Sequence, residues 1–310
     1  MRLGIVGAGK VAWRHAAAAA QVDGLALTAV TDTDPGQAAR LAGRHGVVAA
    51  THLDALLAAV DLVVLAVPHA YHAGLALRAA GAGCRVLVEK PMATTVEDCD
   101  RMIAGAADRL RVGQQGRYFA QVHAAREALD GLGRPLLYLE RRSMDYARPD
   151  RPAWFLDPYL AGGGIAMLVG VHSIDRASWL LGAPVTAVAG STATPAGWQV
   201  ETSAAATLYL AAGPPAHLTL VDDPEFFHET TIMCERGRLT IDPCGLTVNG
   251  RRVVEVDGDG EYTASFRRQY EALLRGEPGP TLGEARRAVA TVRALYDSAA
   301  NGGERVAVPN

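Results

Sequence analysis

The chain has 310 residues, enough to bury a substantial core in two domains. At 49% hydrophobic and 20% charged residues its composition excludes a disordered or fibrous chain. A net charge of −3 gives no footprint for nucleic acid or an anionic membrane, and no apolar run reaches the roughly 18 residues that span a bilayer.

The sequence opens on an apolar run at residues 3–6 with no signal-peptide pattern, so a cytoplasmic location is expected. Cys84, Cys99, Cys234 and Cys244 form no CxxC pair and read as reduced packing residues; no zinc spacing is present and no metal is expected. Further short apolar runs lie at 25–30, 47–49, 62–67, 86–88 and 110–112. Ala/Leu-rich segments at 11–20, 36–41, 53–58, 71–80 and 96–107 separate them. Such alternation predicts a parallel sheet covered by helices on both faces, and six strands fit a doubly wound Rossmann domain over residues 1–117.

The first strand runs into Gly7-Ala8-Gly9-Lys10-Val11-Ala12, a G-x-G-x-x-A turn. Gly7 allows the tight turn, Gly9 a close backbone approach to a pyrophosphate, and Ala12 close helix–strand packing. Lys10 and Val11 open the helix whose free N–H groups face that phosphate. A plain glycine turn is the alternative, and Asp32 at the end of the second strand argues against it, because its carboxylate can accept both ribose hydroxyls. No arginine follows Asp32, which favours NAD over NADP. The fourth strand ends at Ala66-Val67-Pro68-His69, with His72 beyond it. Ala66, Pro68 and His72 are therefore cofactor candidates, although His69 and His72 fit a helix start equally well.

The fifth strand ends at Val88-Glu89-Lys90-Pro91. A lysine at such a strand end can relay a proton once burial lowers its pKa, and can hold a substrate hydroxyl in line for hydride loss. A solvated loop lysine is the commoner role for a lone lysine. The Lys90-Pro91 bond can adopt the cis form.

These motifs, with His15 and the stretch Gln114-Gln115-Gly116-Arg117-Tyr118, resemble the glucose–fructose oxidoreductase / inositol dehydrogenase / MocA family. The resemblance extends over most of the chain. It implies that Lys90 is catalytic, that Glu89 and Gln115 join the cofactor set, and that Tyr118 faces the substrate.

Residues 118–310 read as an α+β domain for substrate binding and oligomerisation. A helix at 120–129 and a strand at 134–143 precede an irregular loop, 144–161, carrying Tyr146, Trp154, Phe155 and Tyr159. These aromatics can wall a sugar, with Trp154 the chosen substrate contact, or pin the loop down. Gly162-Gly163-Gly164 then leads into a segment, 165–181, that is apolar nearly all round and so a buried helix. It resembles the family signature G-G-G-x-x-x-D-x-G-x-H-x-x-D at Gly162, Gly163, Gly164, Gly170, His172 and Asp175. The match implies that His172 faces the substrate beside Lys90 and that Asp175 belongs to the site. Leu168 stands where the signature has its first aspartate; leucine can neither bond a substrate nor orient it, which argues against inositol itself.

The remainder is β-rich and suits a largely antiparallel sheet with one open face, a natural surface for a homodimer or homotetramer. Asn249-Gly250 reads as a hairpin turn, two helices close the chain, and Tyr209, His217 and His228 read as structural. The expected activity is hydride exchange between nicotinamide and a ring carbon of a sugar, sugar derivative or cyclitol. Two alternatives are an NAD-dependent glycosidase with a transient hydride shuttle, as in some branches of the family, and a non-catalytic ligand sensor.

Overall fold

A computed structural model describes residues 1–309. In its first part β1 (Arg2–Val6), α1 (Lys10–Ala19), β2 (Ala26–Thr31), α2 (Pro35–His45), β3 (Val48–Ala49), α3 (Leu53–Leu57), β4 (Leu62–Leu65), α4 (His72–Gly81), β5 (Arg85–Glu89), α5 (Val96–Ala106) and β6 (Leu110–Gly113) follow one another. The six strands are parallel in the order β3-β2-β1-β4-β5-β6. Strand order reverses between β1 and β4, and the crevice at the strands' C-terminal ends is where such sheets take ligands. β4 is buried along its whole length, as a strand covered on both faces must be. α2 is longer than its apolar stripe suggests: Asp34 caps it by accepting from the Gly36 and Gln37 N–H groups, and Pro35 starts it.

In the second part α6 (Ala120–Leu132) precedes β7 (Pro135–Met144). After the loop come the one-turn α7 (Pro158–Ala161), a π-turn at Ala166–Gly170 and α8 (Val171–Leu181). β8 (Val185–Ala193), β9 (Ser203–Leu210), β10 (Ala216–Asp222), β11 (His228–Cys234), β12 (Gly237–Asp242), β13 (Gly245–Val248), β14 (Arg251–Glu255), α9 (Gly258–Leu274), α10 (Leu282–Ala300) and β15 (Val306–Ala307) complete it. The second sheet runs β14-β13-β12-β11-β7-β10-β9-β8-β15. Its pairs are antiparallel except β7 with β10. Asn249 and Gly250 both have positive φ at the β13–β14 hairpin.

β7 alternates between buried and exposed over residues 138–141. Tyr138 and Glu140 are buried on the face toward α8, whereas Leu139 stands on the opposite face with Met233 of β11, 40% and 41% exposed. α9 returns to the first sheet: Phe266 and Tyr270 lie in one buried cluster with Leu3, Ile5, Ala12 and Ala16. Among the described residues no helix is long and apolar enough to cross a membrane.

The buried segment after Gly164 is not one continuous α-helix. The π-turn at Ala166–Gly170 inserts before α8, so the carbonyls there leave the α-helical register. The start of this segment is also crowded. A Cβ on Gly164 would lie 1.8 Å from the backbone oxygen of Glu201, and the Glu201 carboxylate accepts from the N–H groups of Gly164 (2.8 Å) and Ala166 (3.0 Å). A buried acid thus caps the helical segment in place of the glycines.

Candidate active site

A cleft of about 1780 Å³ runs between the strand ends of the first sheet and the inner face of the second. That exceeds the roughly 300–1,000 Å³ of a site for one small ligand. Gly7, Gly9, Lys10, Val11, Asp32, Ala66, Pro68, Glu89 and Gln115 all line it. At Gly7 φ is +92° and a Cβ would lie 2.2 Å from the Ala66 oxygen, so the turn accepts no side chain. A Cβ on Gly9 would meet nothing within 4 Å, which leaves the backbone open to the cleft. α1 begins there with no side-chain cap and no acid in its first turn, a free cluster of N–H donors suited to a pyrophosphate. Asp32 accepts from the N–H groups of Ala8 (2.6 Å) and Asp34 (2.8 Å), which fixes the carboxylate at the strand end. The buried Oε1 of Gln115 has no hydrogen-bond partner. These residues fit a dinucleotide.

Lys90 and His172 reach the same cleft from different elements, one from the end of β5 and one from α8. The Lys90-Pro91 peptide is cis. Lys90 donates to the carbonyl of Leu168 at 2.8 Å. The leucine therefore contributes its backbone oxygen, within the π-turn, where the family signature has an acidic side chain. Burial lowers the Lys90 pKa to about 8, Glu89 opposing and Arg142 assisting. Burial, with Lys90 and Arg142 nearby, holds the His172 imidazole well below its ordinary range, so it is neutral at pH 7. A Cβ on Gly116 would lie 3.3 Å from His172 Nδ1, so the turn at Gln115–Tyr118 packs closely on the ring. Trp154 lines the cleft, stacked on Phe155 at 3.8 Å, whereas Tyr146 is buried and Tyr159 is 76% exposed.

Residues 1–115 match a family model described as an oxidoreductase family with an NAD-binding Rossmann fold, and residues 122–240 match the GFO/IDH/MocA C-terminal domain. The chain belongs to the GFO/IDH/MocA oxidoreductase family. Inositol 2-dehydrogenase of Rhizobium meliloti is 32% identical over 198 residues, 62% of this chain and 58% of that protein. The chain spans a little over half the length of the curated relatives it matches first, 58%, 54% and 57%. Among solved structures, GenD2 from gentamicin A biosynthesis, in complex with NAD, superposes with a TM-score of 0.88 at 25% identity, covering 100% of this chain and 97% of that one. The WlbA dehydrogenase of Bordetella pertussis, in complex with NADH and UDP-GlcNAcA, superposes with a TM-score of 0.86 at 27% identity, covering 100% and 98%.

Three GFO/IDH/MocA motif residues expected in the site lie outside the cleft lining. His72 is fully buried, and its two ring nitrogens face the carbonyls of Pro91 (2.8 Å) and Val67 (3.1 Å); it clamps the Lys90-Pro91 turn and has no reach left for a cofactor. Asp175 forms a bidentate pair with Arg117 at 2.6 and 2.9 Å, which Glu284 joins at 3.1 Å. Burial opposes the Arg117 charge, but Asp175 outweighs it and holds the guanidinium above its ordinary range. The pair ties the Gln115–Tyr118 turn to α8, so Asp175 positions the site from behind. Tyr118 packs on His123 at 6.2 Å and turns its hydroxyl toward Gly279. His15 also lies behind the site, between Tyr270 (2.8 Å) and Glu89 (2.9 Å), so Glu89 reaches the cleft already hydrogen-bonded.

Several lining residues carry no motif. Arg142, Arg176 and His228 meet where β7, α8 and β11 converge, and Tyr262 and Phe266 of α9 close the opposite wall. His228, read from the sequence as structural, lines the cleft. Burial and the neighbouring Arg176 and Arg142 lower its pKa to about 3.

Acid lability follows from these buried rings. The pKa values of His69, His72, His172 and His228 are all lowered in the folded chain, with burial the largest cause in each. Below the unfolded value of about 6.5 the unfolded state binds more protons, so each ring removes about 1.4 kcal/mol per pH unit as the pH falls toward its folded value. Urea midpoints measured from neutral pH down to about 4.5 should fall steeply. A flat profile would mean that these rings ionise freely in the fold.

Proposed function

We propose that this protein is an NAD-dependent dehydrogenase that moves a hydride between nicotinamide and a carbinol carbon of a sugar, sugar derivative or cyclitol ring. The observation that carries the reading is the convergence of Lys90 and His172 on one cleft with the glycine turn and Asp32. The family membership supports the oxidoreductase class. The names of an inositol 2-dehydrogenase and of a WlbA dehydrogenase bound to UDP-GlcNAcA support a polyhydroxylated ring as substrate.

The Gly7–Ala12 turn, Asp32, Ala66, Pro68, Glu89 and Gln115 would hold the cofactor, which supplies the hydride acceptor. Lys90, anchored on the Leu168 carbonyl, has two further N–H positions to hold the reacting hydroxyl oxygen. Neutral His172 takes the hydroxyl proton as the C–H hydride departs, and the ring carbon becomes a ketone; in reduction the same proton returns. Trp154 offers an apolar face to the ring C–H groups. Asp32 disfavours a 2′-phosphate by charge. NADH absorbance in a screen of sugars, uronic acids and cyclitols should therefore rise with NAD and much less with NADP. Cofactor bound without turnover of any member would count against the reading.

A further inference from the structure

We propose that the substrate carries an anionic substituent, a carboxylate or a phosphate ester, which Arg142 and Arg176 receive on the inner face of the second sheet beside Lys90 and His172. The inference deepens the dehydrogenase reading and rests on it for the position of the reacting carbon.

Arg142 lies in the interior of the sheet, paired across to His228 on β11 and Leu220 on β10. It shares the inner face of β7 with Tyr138 and Glu140, and its side chain lines the cleft. Among the described residues its guanidinium has no hydrogen bond and no ion pair, and its Nε is sealed from solvent without a partner. Burial, with Arg176 adjacent, lowers its pKa only to about 10, so it stays charged at neutral pH. A guanidinium has five N–H donors and keeps its proton, so a half-buried one with a sealed Nε and no ion pair is an unfinished arrangement.

The acid nearest Arg142 is already used. Glu140 accepts from the Tyr138 hydroxyl (2.7 Å) and the Ser173 hydroxyl (2.5 Å), and stands 3.6 Å from Arg176. His228 Nε2 faces both the Arg176 guanidinium and the Glu140 carboxylate (3.2 Å), and the ring stays neutral, so it adds no charge to the balance. The Nε of Arg176 is also buried without a partner. On the cofactor side Glu89 is bonded to His15, and on α9 Glu261 is bonded to Arg268.

A neutral ring would leave this end of the cleft with three cations, Lys90, Arg142 and Arg176, against two acids, Glu140 and Glu89, both already hydrogen-bonded. A carboxylate or phosphate supplies the missing charge, and the planar fork of Arg142 matches its two oxygens. The cofactor's own phosphates belong at the glycine turn of the first sheet, whereas the Arg142 charge acts on Lys90 and His172.

The test is equilibrium binding to the NADH-loaded protein, by calorimetry, of matched probes: glucose with glucuronate and glucosamine, and myo-inositol with inositol 1-phosphate. The anionic member of at least one set should bind about tenfold or more tighter than its neutral partner, with the amine weakest. Arg142→Met should erase that gap and leave NADH affinity unchanged, and Arg142→Lys should restore only part of it. Equal or tighter binding of the neutral members, no binding in either set, or a gap that survives Arg142→Met would overturn the proposal. The wild-type comparison decides the matter even if a variant misfolds. NADH formation is read separately, in parallel samples that hold NAD in place of NADH: an anionic preference in binding without turnover upholds the anion site and sinks the dehydrogenase reading, whereas turnover of neutral members without preference does the reverse.

Discussion

Lys90→Met is expected to leave NADH binding intact and to lower turnover by about 10²–10⁴-fold, the range for removal of a positioned proton-transfer group. Methionine keeps much of the lysine's length and apolar stem, so the turn before cis Pro91, held from behind by His72, has no reason to move. The amine is lost, and with it the donor to the Leu168 carbonyl. That carbonyl lies in the π-turn at Ala166–Gly170, and the lysine's bond to it is a contact between β5 and that turn. A moderate stability cost, about 1 kcal/mol, should accompany the loss of activity. Fluorescence titration with NADH and initial rates on any turned-over substrate separate the two effects. Full turnover in the variant would remove Lys90 from the mechanism.

Gly164→Ala should have the largest effect on stability, about 3 kcal/mol. The added Cβ would meet backbone, not a flexible side chain, at 1.8 Å from the Glu201 oxygen. Relief requires that the start of the helical segment move away from the Glu201 carboxylate, which would break its bonds to the Gly164 and Ala166 N–H groups. The displacement passes through the π-turn into α8, so the Leu168 carbonyl and His172 should both move. Denaturant melts should show the loss of stability, and activity should fall further than the unfolded fraction accounts for. A variant of wild-type stability would show that the segment is looser than this packing implies.

The first sheet was legible because its strands and helices alternate along the chain and each motif sits at a strand end. The second sheet was only partly so. β7 pairs with β10 in parallel and with β11 in antiparallel fashion, and nothing local in residues 135–144 announces partners some eighty residues away. The site shows the same division. Gly7, Asp32, Lys90 and His172 stand at positions whose backbone aims them into the cleft. His72, Asp175 and Tyr118 belong to the same motifs, but their partners are a pair of carbonyls, a buried arginine and a neighbouring ring, which only the packing reveals. Arg142 and Arg176 belong to none of the motifs. The available signal was period: Arg142 falls in step with buried Tyr138 and Glu140 on β7, and Arg176 lies within an otherwise apolar helix. Glu201, remote in sequence from the glycines that it caps, left no such trace.

Transfer of label from a deuterated carbinol to the cofactor tests the central claim most directly. Sugars, uronic acids and cyclitols deuterated at their ring carbinols would be incubated with the protein and NAD, and the recovered dinucleotide weighed by mass spectrometry. Hydride transfer at the Lys90–His172 site predicts that NADH formed in the reaction carries one deuterium, with the label absent when the Lys90→Met protein is used. Unlabelled NADH, or labelled NADH in equal yield from the variant, would contradict it.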